Sequence, residues 1–259
     1  MHYETQANIV FYSIAALATL VLLLGLIGMV HFWSLGKSKH LDAEIKVSKW
    51  IRSIVKASFL QTQILEYSFI AWLAHLMIFW GFISLLLLTT FHFVLNWLVP
   101  ASLPFFRYFK DGSGQLLLAF WGDFWGLILL MGVLLALFRR YILRPKKLHT
   151  ISDDSVAIWF LLLVTLSGFM CEAVRLAARP YSQDAVYSFA VNWLIPFLHQ
   201  YNLTEAQVTI SFWIHALVSF FFLAYIPFSK FRHIFASPLD YAFVTSSNQY
   251  TKEKWIEKK

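Results

Sequence analysis

Residues 69–99 read FIAWLAHLMIFWGFISLLLLTTFHFVLNWLV, with no Asp, Glu, Lys or Arg anywhere in the run. At 1.5 Å of rise per residue, a helix of this length is more than enough to cross a hydrocarbon core about 30 Å thick. No water reaches backbone N–H and C=O groups in that core, and only helices or closed barrels satisfy all of them. The ten-residue blocks of alternating polarity that mark barrel strands are absent, which leaves the helix. Ile9–Trp33, Leu116–Phe138, Val156–Ala178 and Val208–Phe228 are runs of the same character. The chain is 59% hydrophobic and 19% aromatic, with a mean hydropathy of +0.63. Only 14% of its residues are charged, against roughly 25% in a soluble domain. The sequence predicts an all-α integral membrane bundle of five transmembrane helices, with residues 1–241 as the membrane domain and 242–259 as a basic tail. No basic residue precedes the first run, so it reads as a permanent helix and not as a cleaved signal.

Basic residues set the orientation. Lys37, Lys39, Lys46, Lys49, Arg52 and Lys56 follow the first run, and Arg139, Arg140, Arg144, Lys146 and Lys147 follow the third. Lys230, Arg232, Lys252, Lys254, Lys258 and Lys259 follow the fifth, and only Arg107, Lys110, Arg175 and Arg179 lie on the other side. Positive charge stays inside, so the N-terminus is expected outside and the C-terminus in the cytoplasm, in a multi-pass protein of the cytoplasmic membrane. The net charge of +7 calls for no nucleic acid, because basic loops orient the chain and attract anionic membrane lipid. They also offer a surface to an acidic partner. In the loop 34–65, Ile45, Val47, Trp50, Ile51, Ile54, Val55 and Phe59 alternate with Lys and Arg, as in a helix lying at the interface. Ser152, Asp153 and Asp154 read as a helix N-terminus. No internal repeat and no paired Gly/Pro-broken spans point to a transporter.

Cys171 is the only cysteine, which excludes an iron–sulfur cluster held by this chain alone and leaves any metal centre to histidine. Of the nine histidines, His75, His92, His215 and His233 lie inside or at the ends of the spans, where an imidazole must find a partner. Two haems between antiparallel helices need two histidines at matching separations on each. His75 to His92 spans roughly 26 Å of helix and His215 to His233 roughly 27 Å, if helical geometry continues through both. Antiparallel packing then levels His75 with His233 near the cytoplasm and His92 with His215 near the outside. His92 lies about 100° round the helix from His75, a rotation that a tilt or a kink near Gly81 would absorb. The plainer reading is that each histidine bonds a neighbouring helix or sits among headgroups. His2, His31, His40, His149 and His199 lie at ends or in loops, with His199 the reserve outer ligand.

These motifs resemble the gamma-subunit family of respiratory nitrate reductase and its relatives, the membrane cytochromes of heterodisulfide reductase and of sulfate-reducer redox complexes. The resemblance rests on Trp213-Ile214-His215 with the segments 226–234 and 237–239, and on Arg139-Arg140 with Pro145 and Asp153-Asp154. Residues 74–82 and 167–175 are closer to the heterodisulfide-reductase branch. It implies b haems held by His75, His215 and His233, exchange with menaquinone or another quinone, and a cytoplasmic iron–sulfur subunit. Nitrate reductase gamma subunits place a ligand ten residues after the first on this helix, where Leu85 stands here. They also carry a lysine near the start of the third helix, where Gly114 to Leu116 stand here. His92 is inferred as the fourth ligand in place of Leu85.

The expected function is electron transfer, as the haem-b subunit of an oxidoreductase complex, between the quinone pool or an extracytoplasmic multihaem cytochrome c and the cytoplasmic iron–sulfur subunit. Glu172 and Arg175, one turn apart, either pair with each other or exchange protons with a quinone. The alternatives are an authentic nitrate reductase gamma subunit and, in another class, a haem-free anchor for peripheral redox subunits. A C-terminal fusion to a reporter active only in the cytoplasm should be active; activity solely from a reporter that works outside would contradict the orientation.

Overall fold

The computed structural model describes residues 2–35, 47–110, 112–145, 152–179 and 187–238. Lys37, Lys39, His40, Ile45, Lys46, Lys146, Lys147, His149 and the tail 242–259 lie outside the described residues. No strand occurs among those described. The helices are α1 (His2–Leu35), α2 (Val47–Ile54), α3 (Thr62–Tyr67), α4 (Phe69–Trp97), α5 (Pro104–Lys110), α6 (Ser113–Phe138), α7 (Ser152–Ala178), α8 (Ile195–His199) and α9 (Glu205–Tyr225). Five segments among them are long and apolar enough to cross a membrane: Asn8–Phe32, Phe69–Trp97, Ser113–Leu143, Asp153–Ala178 and Glu205–Phe228. All five expected spans are present, and the protein is a multi-pass membrane protein. Leu24, Leu87, Leu117 and Phe221 all stand exposed along these segments, as lipid-facing side chains do.

Two compact units make up the chain. The first comprises Met1–Trp72, Ile151–Ala157 and Phe220–Lys259. Within it, Phe11 packs on Phe220 with ring centroids 5.1 Å apart. A Cβ on Gly25 would lie 2.5 Å from Cβ of Pro227, so α1 needs glycine there. The interfacial segment is helical from Val47 to Phe59, the last five residues as a π-helical turn. It is stopped by Gln61, whose φ of 52° lies in the left-handed region. Trp72 Nε1 donates to Leu60 O at 2.8 Å, tying that stop to the start of α4. Asp153 and Asp154 stand in the first turn of α7 as expected, and Asp154 also forms an ion pair with Lys230.

The α9 helix does not continue from His215 to His233. It ends at Tyr225, followed by 3-10 turns over Ile226–Phe228 and Lys230–Arg232 with extended Ser229 between them. Pro227 has no N–H to continue the helical ladder, so the rise of 1.5 Å per residue does not carry from His215 to His233. The α4 helix runs as unbroken α-helix through Gly81.

The second unit comprises Leu73–Thr150 and Ile158–Ser219. Glycines bring its helices together. A Cβ on Gly81 would meet Leu129 N at 2.8 Å, and one on Gly132 would meet Met77 Cβ at 2.8 Å and Ile78 N at 2.9 Å. Further along, Gly122 faces Leu88 at 3.3 Å. These rungs run in opposite directions along α4 and α6, as small-residue packing between antiparallel membrane helices requires. Gly126 against Phe169 joins α6 to α7, and Tyr141, in the π-helical turn Arg139–Leu143 after α6, packs on Trp159 with centroids 6.3 Å apart. Ala173, Leu176 and Ala177 of α7 form a buried cluster with Val191 and Ile195, so the segment before α9 folds onto the end of α7.

Gly132→Val should lower the thermal midpoint of the detergent-solubilised protein, because overpacking a close helix contact costs about 1–3 kcal/mol. Gly28→Ala should leave it unchanged, since a Cβ there meets nothing within 4 Å. Equal midpoints for both variants would contradict this packing.

Candidate functional site

His215 is half-buried on α9, and two neighbours on α7 fix its ring. Nδ1 lies 3.0 Å from Ser167 Oγ. Ser167 Oγ also lies 2.9 Å from Val164 O, and with its one proton directed there it accepts from Nδ1–H. In that arrangement the lone pair lies on Nε2, the form a metal-binding histidine takes when its other nitrogen is held by an oxygen. A Cβ on Gly168 would sit 3.1 Å from Cε1 of the ring. Gly168 is therefore the ledge that lets the imidazole lie against α7, and the residues present fit an axial haem ligand.

The other expected ligands stand differently. His75 is half-buried on α4. His92 is exposed on the same helix, its Nδ1 donating to Leu88 O at 3.0 Å. It lies beside Phe91, whose ring packs on Phe109 of α5 at 5.0 Å. His233 is exposed and donates from Nδ1 to Lys230 O at 2.6 Å. His199 donates from Nδ1 to Ala177 O at 3.0 Å. His92 falls in phase with the α6-facing stripe of Ala74 and Gly81, and His75 about 100° round from it.

The contact rungs of the second unit also give relative depth. Counting from His215 through Gly168, Gly126 and Leu129 leads to residues 82–83 of α4. His75 and His92 lie roughly 11 Å and 14 Å to either side of that level at 1.5 Å per residue. By this count the level of His215 falls between His75 and His92 on α4.

A second polar cluster lies between α6 and α7. Asp123 is 1% exposed, and its Oδ2 accepts from Ala190 N at 2.7 Å. Glu172 accepts from Ser188 Oγ at 2.8 Å. The two carboxyl groups lie within hydrogen-bonding reach of each other. Arg175, one turn along α7, attracts Glu172 electrostatically, and Ser188 and Asp123 also engage it. The sequence reading missed Asp123, Ser188 and Ser167. Asp123 had a clear signal, as the one ionisable side chain in the run Leu116–Phe138, and such residues inside a membrane mark function by default. Ser167 and Ser188 had none, because a serine beside a helix turn usually bonds its own backbone.

Residues 51–241 match the HdrE family of dihydromethanophenazine:CoB--CoM heterodisulfide reductase. The chain is similar to the EtfAB:quinone oxidoreductase of Syntrophomonas wolfei subsp. wolfei, 27% identical over 246 residues, covering 90% of this chain and 33% of that protein. It is also similar to the HdrE protein of Methanosarcina acetivorans, 31% identical over 186 residues, covering 69% of this chain and 60% of that one. The HdrE protein of Methanosarcina barkeri is 30% identical over the same shares. The chain thus spans a third of the first relative's length and about 60% of the other two. No solved structure matches. The match takes in α4, α6, α7 and α9 with every expected haem ligand, and the chain belongs to the HdrE family of heterodisulfide reductase.

Proposed function

We propose that this chain is the haem-b subunit of a membrane oxidoreductase complex, passing electrons between a membrane-dissolved carrier and a cytoplasmic iron–sulfur subunit. The observation that carries the reading is His215, whose ring lies against Gly168 with Nδ1 engaged by Ser167, an arrangement that suits an axial ligand. Haem supplies one-electron chemistry when bound. The chain's own part is to hold the ligands, exclude water and tune basicity. Ser167 raises the donor strength of His215 by accepting from Nδ1–H.

The names of the relatives support a carrier that exchanges two electrons and two protons: a quinone in one case and a dihydrophenazine in the other. Menaquinone or another quinone is the first candidate, and an extracytoplasmic multihaem cytochrome c is the alternative donor. In this reading residues 1–241 form the cytochrome domain, with the N-terminus outside. The cytoplasmic basic residues, Arg139, Arg140 and Arg232 among them, receive the iron–sulfur partner, helped by the tail 242–259. His75 and His233 hold the inner haem iron. His215 holds the outer one, with His92 its expected partner and His199 the reserve. Glu172, with Arg175 beside it, serves proton exchange with the carrier.

Dithionite-reduced spectra and a pyridine haemochrome count test this directly. The purified chain should hold two haems, His215→Ala should lose one, and His75→Ala and His233→Ala should each lose the other. His92→Ala shows which histidine completes the outer site: retention of both haems passes that role to another residue. Ser167→Ala should keep the haem and raise its midpoint potential, because a less basic imidazole stabilises ferric iron less. A chain without any haem spectrum would leave the membrane-anchor reading in its place.

A further inference from the structure

Oδ1 of Asp123 is shut off from solvent, and no group among the described residues donates to it. It sits beside a second carboxyl group inside an apolar bundle, and neither carboxylate can donate to the other while both are ionised. Two like charges in contact at low dielectric oppose each other's ionisation. The surroundings are built to hold the pair in place: Ala190 N–H engages Oδ2 of Asp123, and the Ser188 hydroxyl engages Oε1 of Glu172. That leaves Oδ1 of Asp123. Arg175 is the cation that acts on Glu172. Cys171, on the same helix, faces Ser211 of α9. The segment 188–191 brings no charge, and α6 brings none besides Asp123.

We propose that Asp123 and Glu172 form one membrane-embedded proton-binding site, holding a single proton between them at neutral pH and receiving the protons released when a hydroquinone or dihydrophenazine is oxidised. The resident proton gives Oδ1 its missing partner and removes one of the two charges. The transfer step rests on the function proposed above. Oxidation of the carrier breaks two O–H or N–H bonds and yields two electrons and two protons. The electrons pass to the ferric haem irons of the proposed sites. Each proton in turn converts the singly protonated pair to its doubly protonated form and is then released to water, which restores the pair for the next.

Infrared spectroscopy of the purified full chain reads the resident proton without any carrier. At neutral pH the native protein should show a protonated-carboxyl C=O stretch that shifts down in heavy water. In Asp123→Asn and in Glu172→Gln the introduced amide donates to the remaining carboxylate, which stays ionised, so the band should vanish in both. A native protein without the band, or a band unchanged in either variant, overturns the shared proton. Stopped-flow reduction of the haem by duroquinol or by dihydrophenazine reads the transfer. Each variant should be slowed at least tenfold with one carrier or the other, at unchanged haem content and unchanged reduction by dithionite. Native rates with both carriers overturn the transfer role. If the haem reading itself fails, the spectrum lacks haem while the infrared band persists, so the two failures are told apart.

Discussion

A hydrocarbon core offers no water, so every polar group placed in it must find its partner inside the protein. That constraint accounts for most of this structure. It makes the spans helical, since a helix satisfies its own backbone. It also removes the hydrophobic drive that would pack helices in water, and leaves close approach through small residues to do that work. Gly81, Gly122, Gly126 and Gly132 supply the approach along α4, α6 and α7, and Gly168 does the same beside His215. At four of these five positions a side chain would fall within about 3 Å of a neighbour, and at Gly122 only slightly farther out. The bundle is drawn together where side chains are missing.

The same constraint singles out the groups that satisfy themselves least easily. An imidazole and two carboxyl groups sit within the spans of the second unit, and each is held by a neighbour on another segment. His215 is fixed by Ser167, Asp123 by the Ala190 backbone and Glu172 by Ser188. One arrangement presents a ring nitrogen suited to iron, and the other two carboxyl groups suited to a proton. The rungs place both on the same part of α7, with Ser167 and Glu172 about five residues apart, roughly 8 Å along the helix. Electron and proton chemistry within that distance suits a carrier that exchanges both.

Much of the fold was legible in the sequence because hydropathy and helix length answer to the same membrane thickness. Each span came out within a few residues of its expected ends, and the two carboxylates opening α7 stood where the N-terminal pattern put them. What the sequence hid was geometry set by single residues. Pro227 lies inside an apolar run and reads as part of the span, yet it ends α9 and voids the even spacing of His215 and His233. Relative depth was likewise out of reach, because it depends on which glycine meets which neighbour. The nearly equal climbs from His75 to His92 and from His233 to His215 could not supply it, because they assumed helical geometry throughout. Asp123 is visible in the sequence as the one ionisable side chain in its span. Its pairing with Glu172 depends on the α6–α7 register, which hydropathy does not encode.

The central claim is that His215 binds a haem iron through Nε2. Low-temperature electron paramagnetic resonance of the oxidised, purified chain addresses it most directly, because two imidazoles on ferric haem give a low-spin signal that depends on both ligands. The account predicts such signals in the native protein, with one of them lost or converted to high spin in His215→Ala. A native protein without a low-spin ferric signal, or one whose signals are identical in His215→Ala, would contradict it.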